Sequence, residues 1–184
     1  MTKSKRKMND VDIVEPEEMP KIICVSQGWG ELQMGMCMDK TPLCLAGKVY
    51  ASGLGTHADS EIVVRVPVGA RRLTGLCGVN DSPLTRQNTN SLVFSVEVDG
   101  KEVWRSNPQH AAAPPARVDV RLAGRKQFTL KVKGPIAYAH ADWVDLKITM
   151  VNGKSVKIGR STADKDGSNF PEYGADAVMP VGMP

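Results

Sequence analysis

Between Lys21 and Val151 the chain alternates apolar and polar residues at a period of two, in short runs separated by turn residues. That period puts every second side chain on one face of a half-buried strand. The runs are Lys21–Val25, Glu61–Val66, Arg72–Val79, Ser91–Val98, Glu102–Arg105, Arg117–Leu122, Gln127–Val132 and Asp142–Val151. Pro67, Gly69, Ala123-Gly124 and Lys133-Gly134-Pro135 break them, and Asp99-Gly100 is the strongest hairpin signal. No window holds a sustained apolar period of 3.6 residues. About eight short strands at intervals of roughly 8–12 residues point to an all-β chain, an antiparallel β-sandwich or barrel.

Four stretches of this body lack the alternation. Residues 31–47, with Met34, Met36, Met38, Leu43 and Leu45, read as a long packed loop, and residues 80–90 and 107–115 as polar loops. The fourth departure is Gly53-Leu54-Gly55-Thr56-His57-Ala58-Asp59-Ser60-Glu61. Its paired glycines suit a tight turn or a close backbone approach. It crowds an imidazole, a carboxylate, a hydroxyl and a second carboxylate ahead of a strand, as a loop at the rim of a sheet does. A second such cluster, His140-Ala141-Asp142-Trp143-Val144-Asp145, meets it only through tertiary folding.

A length of 184 residues fits one domain with a real core. Residues 1–20 read as a disordered tail, 21–152 as the β body and 153–184 as a linker or loosely packed tail rich in Gly, Pro, Asp and Ser. The net charge of +4 comes from 24 basic and 20 acidic side chains, an excess too small to argue for nucleic acid. No apolar run approaches the roughly 18 residues of a membrane span. The basic start, Lys3 to Lys7, is not followed by the apolar stretch of a secretory signal. That leaves a cytosolic protein, or a piece of a longer exported chain. Cys24, Cys37, Cys44 and Cys77 show no C-x-x-C pair and no nearby histidine at zinc-site spacing; disulfides and buried thiols explain them equally.

An ordered set of segments resembles the NPCBM domain, carbohydrate-binding module family 51. It comprises Gln27-Gly28-Trp29-Gly30, Gly47-Lys48-Val49-Tyr50, Gly53–Ile62, Gly78-Val79-Asn80-Asp81, the Phe94–Gly100 hairpin, and Ala141-Asp142-Trp143 with Asp145. The resemblance covers about residues 22–150. It implies a jelly-roll β-sandwich that binds glycans ending in galactose or N-acetylgalactosamine, carried beside a glycoside hydrolase domain in a secreted or cell-surface protein. It also implies a structural calcium. Two departures bear on calcium and on sugar contacts from the following loop: Asn80 stands where the family has aspartate, and Ser82–Asn90 lacks the usual acidic, glycine-rich character.

Sugar recognition needs a flat apolar face for C–H packing and planar polar groups for hydroxyls. Trp29, between glycines, is either a stacking platform or a plug for the sandwich end, and Gln27 beside it carries a planar amide. Trp104 reads as core. Trp143, at a strand start, reads as core or as ligand-facing. His57, Asp59 and Asp142 form a candidate hydrogen-bonded rim, with His140 an equal candidate, and Asn80, Asp81, Arg86 and Asn88 supply the most polar loop. Asp81, Asp142 and Asp145 are the candidate oxygen ligands for calcium, which takes about six to eight. There is no nucleophile elbow, phosphate loop or zinc motif. A small sandwich with short loops leaves little room for catalysis. The rival class is a sandwich that has lost sugar binding and serves as a protein-interaction module.

Overall fold

The computed structural model describes residues 19–159 and the backbone of residues 172–173. The tail read over residues 1–20 therefore lies outside the described residues except for Met19 and Pro20. The strands are β1 (Lys21–Gln27), β2 (Gln33–Met34), β3 (Leu43–Leu45), β4 (Lys48–Tyr50), β5 (Gly53–His57), β6 (Ser60–Arg65) and β7 (Ala70–Val79). After a one-turn helix α1 (Pro83–Arg86) come β8 (Val93–Val98), β9 (Lys101–Arg105), β10 (Ala116–Arg121), β11 (Gln127–Lys133), β12 (His140–Met150), β13 (Ser155–Lys157) and β14 (Glu172–Tyr173). One sheet runs β14-β1-β6-β11-β8-β9. The other runs β10-β7-β12-β5-β2, with β13 paired to β12, and β3-β4 form a separate hairpin. Every pairing between these strands is antiparallel except β14 on β1. This is an antiparallel β-sandwich.

The alternation explains the core directly. Ile62 and Val64 of β6, Phe94, Val96 and Val98 of β8, Val118 and Val120 of β10, and Phe128, Leu130 and Val132 of β11 all point between the sheets and are buried. Each such side chain stabilises the fold by about 1.5–3 kcal/mol of apolar transfer. Trp143 lies at the centre with no exposed surface, its ring 5.2 Å from Phe94 and 6.5 Å from Trp104, edge-on to the first. Trp104 is only partly buried but packs on the same core.

Three segments differ from the sequence expectation, each for a physical reason. Gly53–His57 is not a rim loop but a fully buried inner strand, paired on one side with β12 and on the other with β2. Its glycines allow this. A Cβ on Gly53 would strike the Trp143 carbonyl, and one on Gly55 would strike Met36 and Cys37. The packed loop of residues 31–47 contains β2 and the first half of the β3–β4 hairpin. This stretch roofs the outer face of β12, where Leu43, Leu45, Tyr50 and Val144 form a second small core. Val144, Leu146 and Ile148 do not share one face, because the β12 register slips between Val144 and Lys147 and Asp145 takes a left-handed φ of 49°. This bulge sends Val144 outward to the hairpin and Leu146 and Ile148 inward to the main core. Beyond residue 152 the body continues, with β13 on β12, Ile158 buried, and Gly53 N–H donating to the Gly159 carbonyl at 2.7 Å. All four cysteines are free thiols.

Candidate functional site

The antiparallel pairing of β5 with β12 sets His57 directly opposite His140 at one end of the sandwich. The chain leaving β1 delivers Trp29 to the same end. Here Gly28, Trp29, Asp39, His57, Leu84, Ile136, Tyr138 and His140 line an open cavity of about 440 Å³. Four of its apolar walls face solvent: Trp29 is 52% exposed, Leu84 48%, Ile136 67% and Tyr138 53%. Scattered exposed hydrophobics are ordinary, but several converging on one concavity with a few polar groups are the usual anatomy of a ligand site.

Each wall is held from behind. Gly28 lies flat on the Ala58–Asp59 backbone, and any Cβ there would overlap the Ala58 carbonyl. Gln27 is buried beneath the platform. Its Nε2 donates to the Trp29 carbonyl at 2.9 Å while its Oε1 accepts from Thr56 Oγ1 at 2.7 Å. Gln27 thus positions Trp29 rather than facing a ligand. Leu84 rides on α1, started by Pro83 and a capping box in which the Ser82 and Thr85 side chains each bond the other's backbone N–H. Thr85 Oγ1 also donates to the Asn80 carbonyl, tying this turn to the end of β7. Asn88 Nδ2 donates to the Ala137 carbonyl at 2.9 Å, fixing the loop that presents Ile136 and Tyr138.

The polar groups are poised as neutral acceptors and one anion. Burial, and secondarily the neighbouring His140, hold the His57 imidazole below its ordinary pKa, against the opposing bond to the Ala58 carbonyl. His140 is held low by burial too, with Asp39 opposing. His57 Nδ1 sits 2.7 Å from the Ala58 carbonyl, which only accepts, so this nitrogen carries the proton and Nε2 is left as an acceptor. The Trp29 and His57 rings meet edge to face at 6.1 Å, and His57 and His140 lie 5.8 Å apart. Although burial raises the Asp39 pKa, bonds from Thr41 bring it below the ordinary carboxylate value.

Of the rim residues expected from sequence, Trp29, His57 and His140 come together here; the others do not. Asp59 turns away, its carboxylate accepting from Lys133 Nζ at 3.0 Å and Gly134 N–H at 3.1 Å. Asp81 forms a two-bond ion pair with Arg86, at 2.5 and 2.9 Å, which lowers its pKa. Asp142 does not meet His57. It is fully buried under the hairpin roof, accepting from Asn80 Nδ2 at 2.6 Å and Cys44 N–H at 3.1 Å. Asn80 also donates to the Pro42 carbonyl at 3.1 Å, so Asn80 and Asp142 clamp the roof to the sheet instead of facing a hydroxyl. Trp143 is enclosed and offers a ligand no surface. The calcium candidates do not converge either. Asp81 is committed to Arg86, Asp142 is enclosed, and Asp145 is exposed beside Ser52 Oγ at 3.3 Å. Three carboxylates committed to separate partners do not make an oxygen cage.

Asn80→Ala leaves the buried Asp142 carboxylate with a single donor. The variant is expected to lose about 1–3 kcal/mol in urea unfolding, the cost of an unpaired buried polar group. An unchanged midpoint would show the clamp to be dispensable.

Asp39, Leu84, Ile136 and Tyr138 are the lining residues that sequence reading missed. The signal for two of them was Ile136 and Tyr138 themselves, large apolar residues following Gly134-Pro135 in a stretch outside any alternating run.

A β-sandwich with an apolar, imidazole-lined cavity at its rim has the anatomy of a binding module. The chain belongs to the NPCBM/NEW2 domain family, whose model matches residues 17–149. It is 30% identical over 131 residues to alpha-1,3-galactosidase B of Akkermansia muciniphila, an alignment covering 68% of this chain and 16% of that protein. The chain thus spans a small part of this curated relative. Among solved structures it is similar to the CBM51 from Clostridium perfringens GH95 in complex with methyl-galactose: TM-score 0.59, 25% identity, 73% of this chain and 95% of that one. The CBM51-2 module solved with INT domains of Clostridium perfringens ZmpB shares the fold, with TM-score 0.60, 23% identity, and coverage of 73% of this chain and 30% of that one.

Proposed function

We propose that this carbohydrate-binding module holds a terminal galactose-type sugar in the Trp29 cavity, as a non-catalytic accessory to a glycoside hydrolase domain in an exported protein. The observation that carries the reading is the cavity itself. The half-exposed Trp29 indole offers a face for sugar C–H groups, with His57 Nε2 as a hydroxyl acceptor and Asp39 at the rim. The relative solved with methyl-galactose supports the sugar class. Asp39 is the one carboxylate in the lining, whereas glycoside hydrolysis uses a pair across a cleft. An open cavity with one aromatic platform implies shallow, weak binding, with Kd about millimolar to micromolar.

Trp29 is the most exposed of the three tryptophans, so its fluorescence reports occupancy. Titration with methyl-galactoside is expected to give a saturable shift, with affinity falling at least about tenfold in Trp29→Ala, or roughly 1.4 kcal/mol. Silence toward galactose, N-acetylgalactosamine and lactose from folded protein would overturn the reading and favour a protein-interaction module.

A further inference from the structure

The roof and β12 bring together a second set of groups, two of which also line the Trp29 cavity. Cys37 and Asp39 lie on a tight turn of the roof, closed by Cys37 N–H to the Thr41 carbonyl at 2.8 Å and Lys40 N–H to the Cys37 carbonyl at 2.9 Å. Thr41 donates to Asp39 Oδ1 through both its backbone N–H and its hydroxyl, at 3.0 and 2.5 Å, which leaves Oδ2 facing His140 Nδ1 at 3.4 Å. The Cys37 thiol is completely buried beside Asp39 and Asp142. One ligand atom each from Cys37, Asp39 and His140 lies within 4.8 Å of the other two.

One buried atom at this spot makes no hydrogen bond: His140 Nδ1, on a ring 6% exposed, although Asp39 Oδ2 lies 3.4 Å away. Natural interiors pair such groups, so this nitrogen beside a buried thiol and a carboxylate calls for an explanation. A cation supplies one.

We infer that Cys37, Asp39 and His140 form a binding site for zinc or a similar borderline divalent metal. Thiolate, imidazole and carboxylate are the zinc donor set, and tetrahedral bonds of 2.0–2.3 Å place donors roughly 3.3–3.6 Å apart; His140 Nδ1 and Asp39 Oδ2 already stand at 3.4 Å, within a trio that spans at most 4.8 Å. Calcium is the wrong ion, because it takes hard oxygen ligands and this trio offers a soft sulfur and a nitrogen. On binding, Cys37 gives up its thiol proton to solvent, and thiolate plus carboxylate then balance the two positive charges. Asp39 and His140 also line the Trp29 cavity, so the fourth position opens toward it. The metal would staple the roof turn to β12.

The test is cobalt and zinc titration of the chelator-treated full chain. Cobalt is expected to bind once per chain with a thiolate charge-transfer band, and zinc to displace it and raise the melting temperature. Cys37→Ser should abolish the band. Asp39→Asn, at a half-buried position that should not compromise folding, should weaken binding by about tenfold or more, in the range seen when supporting groups of a metal site are lost. Cys44→Ser should leave the band intact. A folded apo protein with no cobalt–thiolate band would overturn the inference. So would a band that survives Cys37→Ser or disappears with Cys44→Ser.

Discussion

Trp143→Ala is expected to remove about 3–5 kcal/mol of stability, the largest loss from any single truncation in this core. The side chain has no exposed surface and stands where β12 faces β8, with Phe94 edge-on at 5.2 Å and Trp104 beyond it. Nothing adjacent can collapse into the space, because the β5 and β7 backbones pair with Trp143 itself. Against a total of roughly 5–15 kcal/mol for a domain, the loss leaves a partly unfolded population at growth temperature. Trp143→Phe should cost much less, since it keeps a ring and removes an indole Nε1 that has no partner. Urea melts of the two variants measure this directly. Equal and small losses would mean that Trp143 is not the centre of the core.

The second large effect is a pH dependence centred on Asp142. Burial pushes its carboxyl up from the usual 3.8 to about 7, against the bonds from Asn80 and the Cys44 N–H, which favour the charged form; nearby Asp39 adds to the rise and Cys37 opposes it. The folded state therefore binds the proton more tightly than the unfolded chain. The stabilisation is fully present below about pH 4 and is lost as pH rises through about 7, a change of about 4 kcal/mol if the site titrates alone. Asp81 acts in the opposite sense, since Arg86 lowers its pKa and its stabilisation disappears in acid. Comparison with Asp142→Asn isolates the first effect. The amide oxygen still accepts from Asn80 and Cys44, and the new N–H₂ replaces the other carboxylate oxygen. With chelator present, the variant should gain on wild type steadily from pH 4 to pH 8. Parallel stability curves would mean that Asp142 titrates normally.

How much was legible beforehand follows from what each signal measures. Strands with one face on the core, such as β6, β8, β10 and β11, appear in the sequence because burial imposes the period of two. β5 was hidden because it is buried on both faces and built on glycines, so it carries no alternation and reads as a turn. The bulge at Asp145 was hidden for the opposite reason, since Val144, Leu146 and Ile148 keep perfect spacing while changing faces. At the site, Trp29 stood out as an indole between glycines, and His57 as an imidazole just after a glycine pair. Asn80 and Asp142 drew the same attention through polarity, but a polar residue looks alike in sequence whether it meets a ligand or a buried clamp. Only the hairpin roof decides between them. Leu84, Ile136 and Tyr138 lie in irregular segments, where exposure has no sequence period to reveal it.

The most direct measurement is a map of amide and indole resonances during titration of isotope-labelled protein with methyl-galactoside. The account predicts saturable shifts at the Trp29 indole and at Gly28, His57, Tyr138 and His140, with the far end around Pro67 and Arg125 silent. Shifts at that far end, or none in a folded sample at saturating sugar, would contradict it.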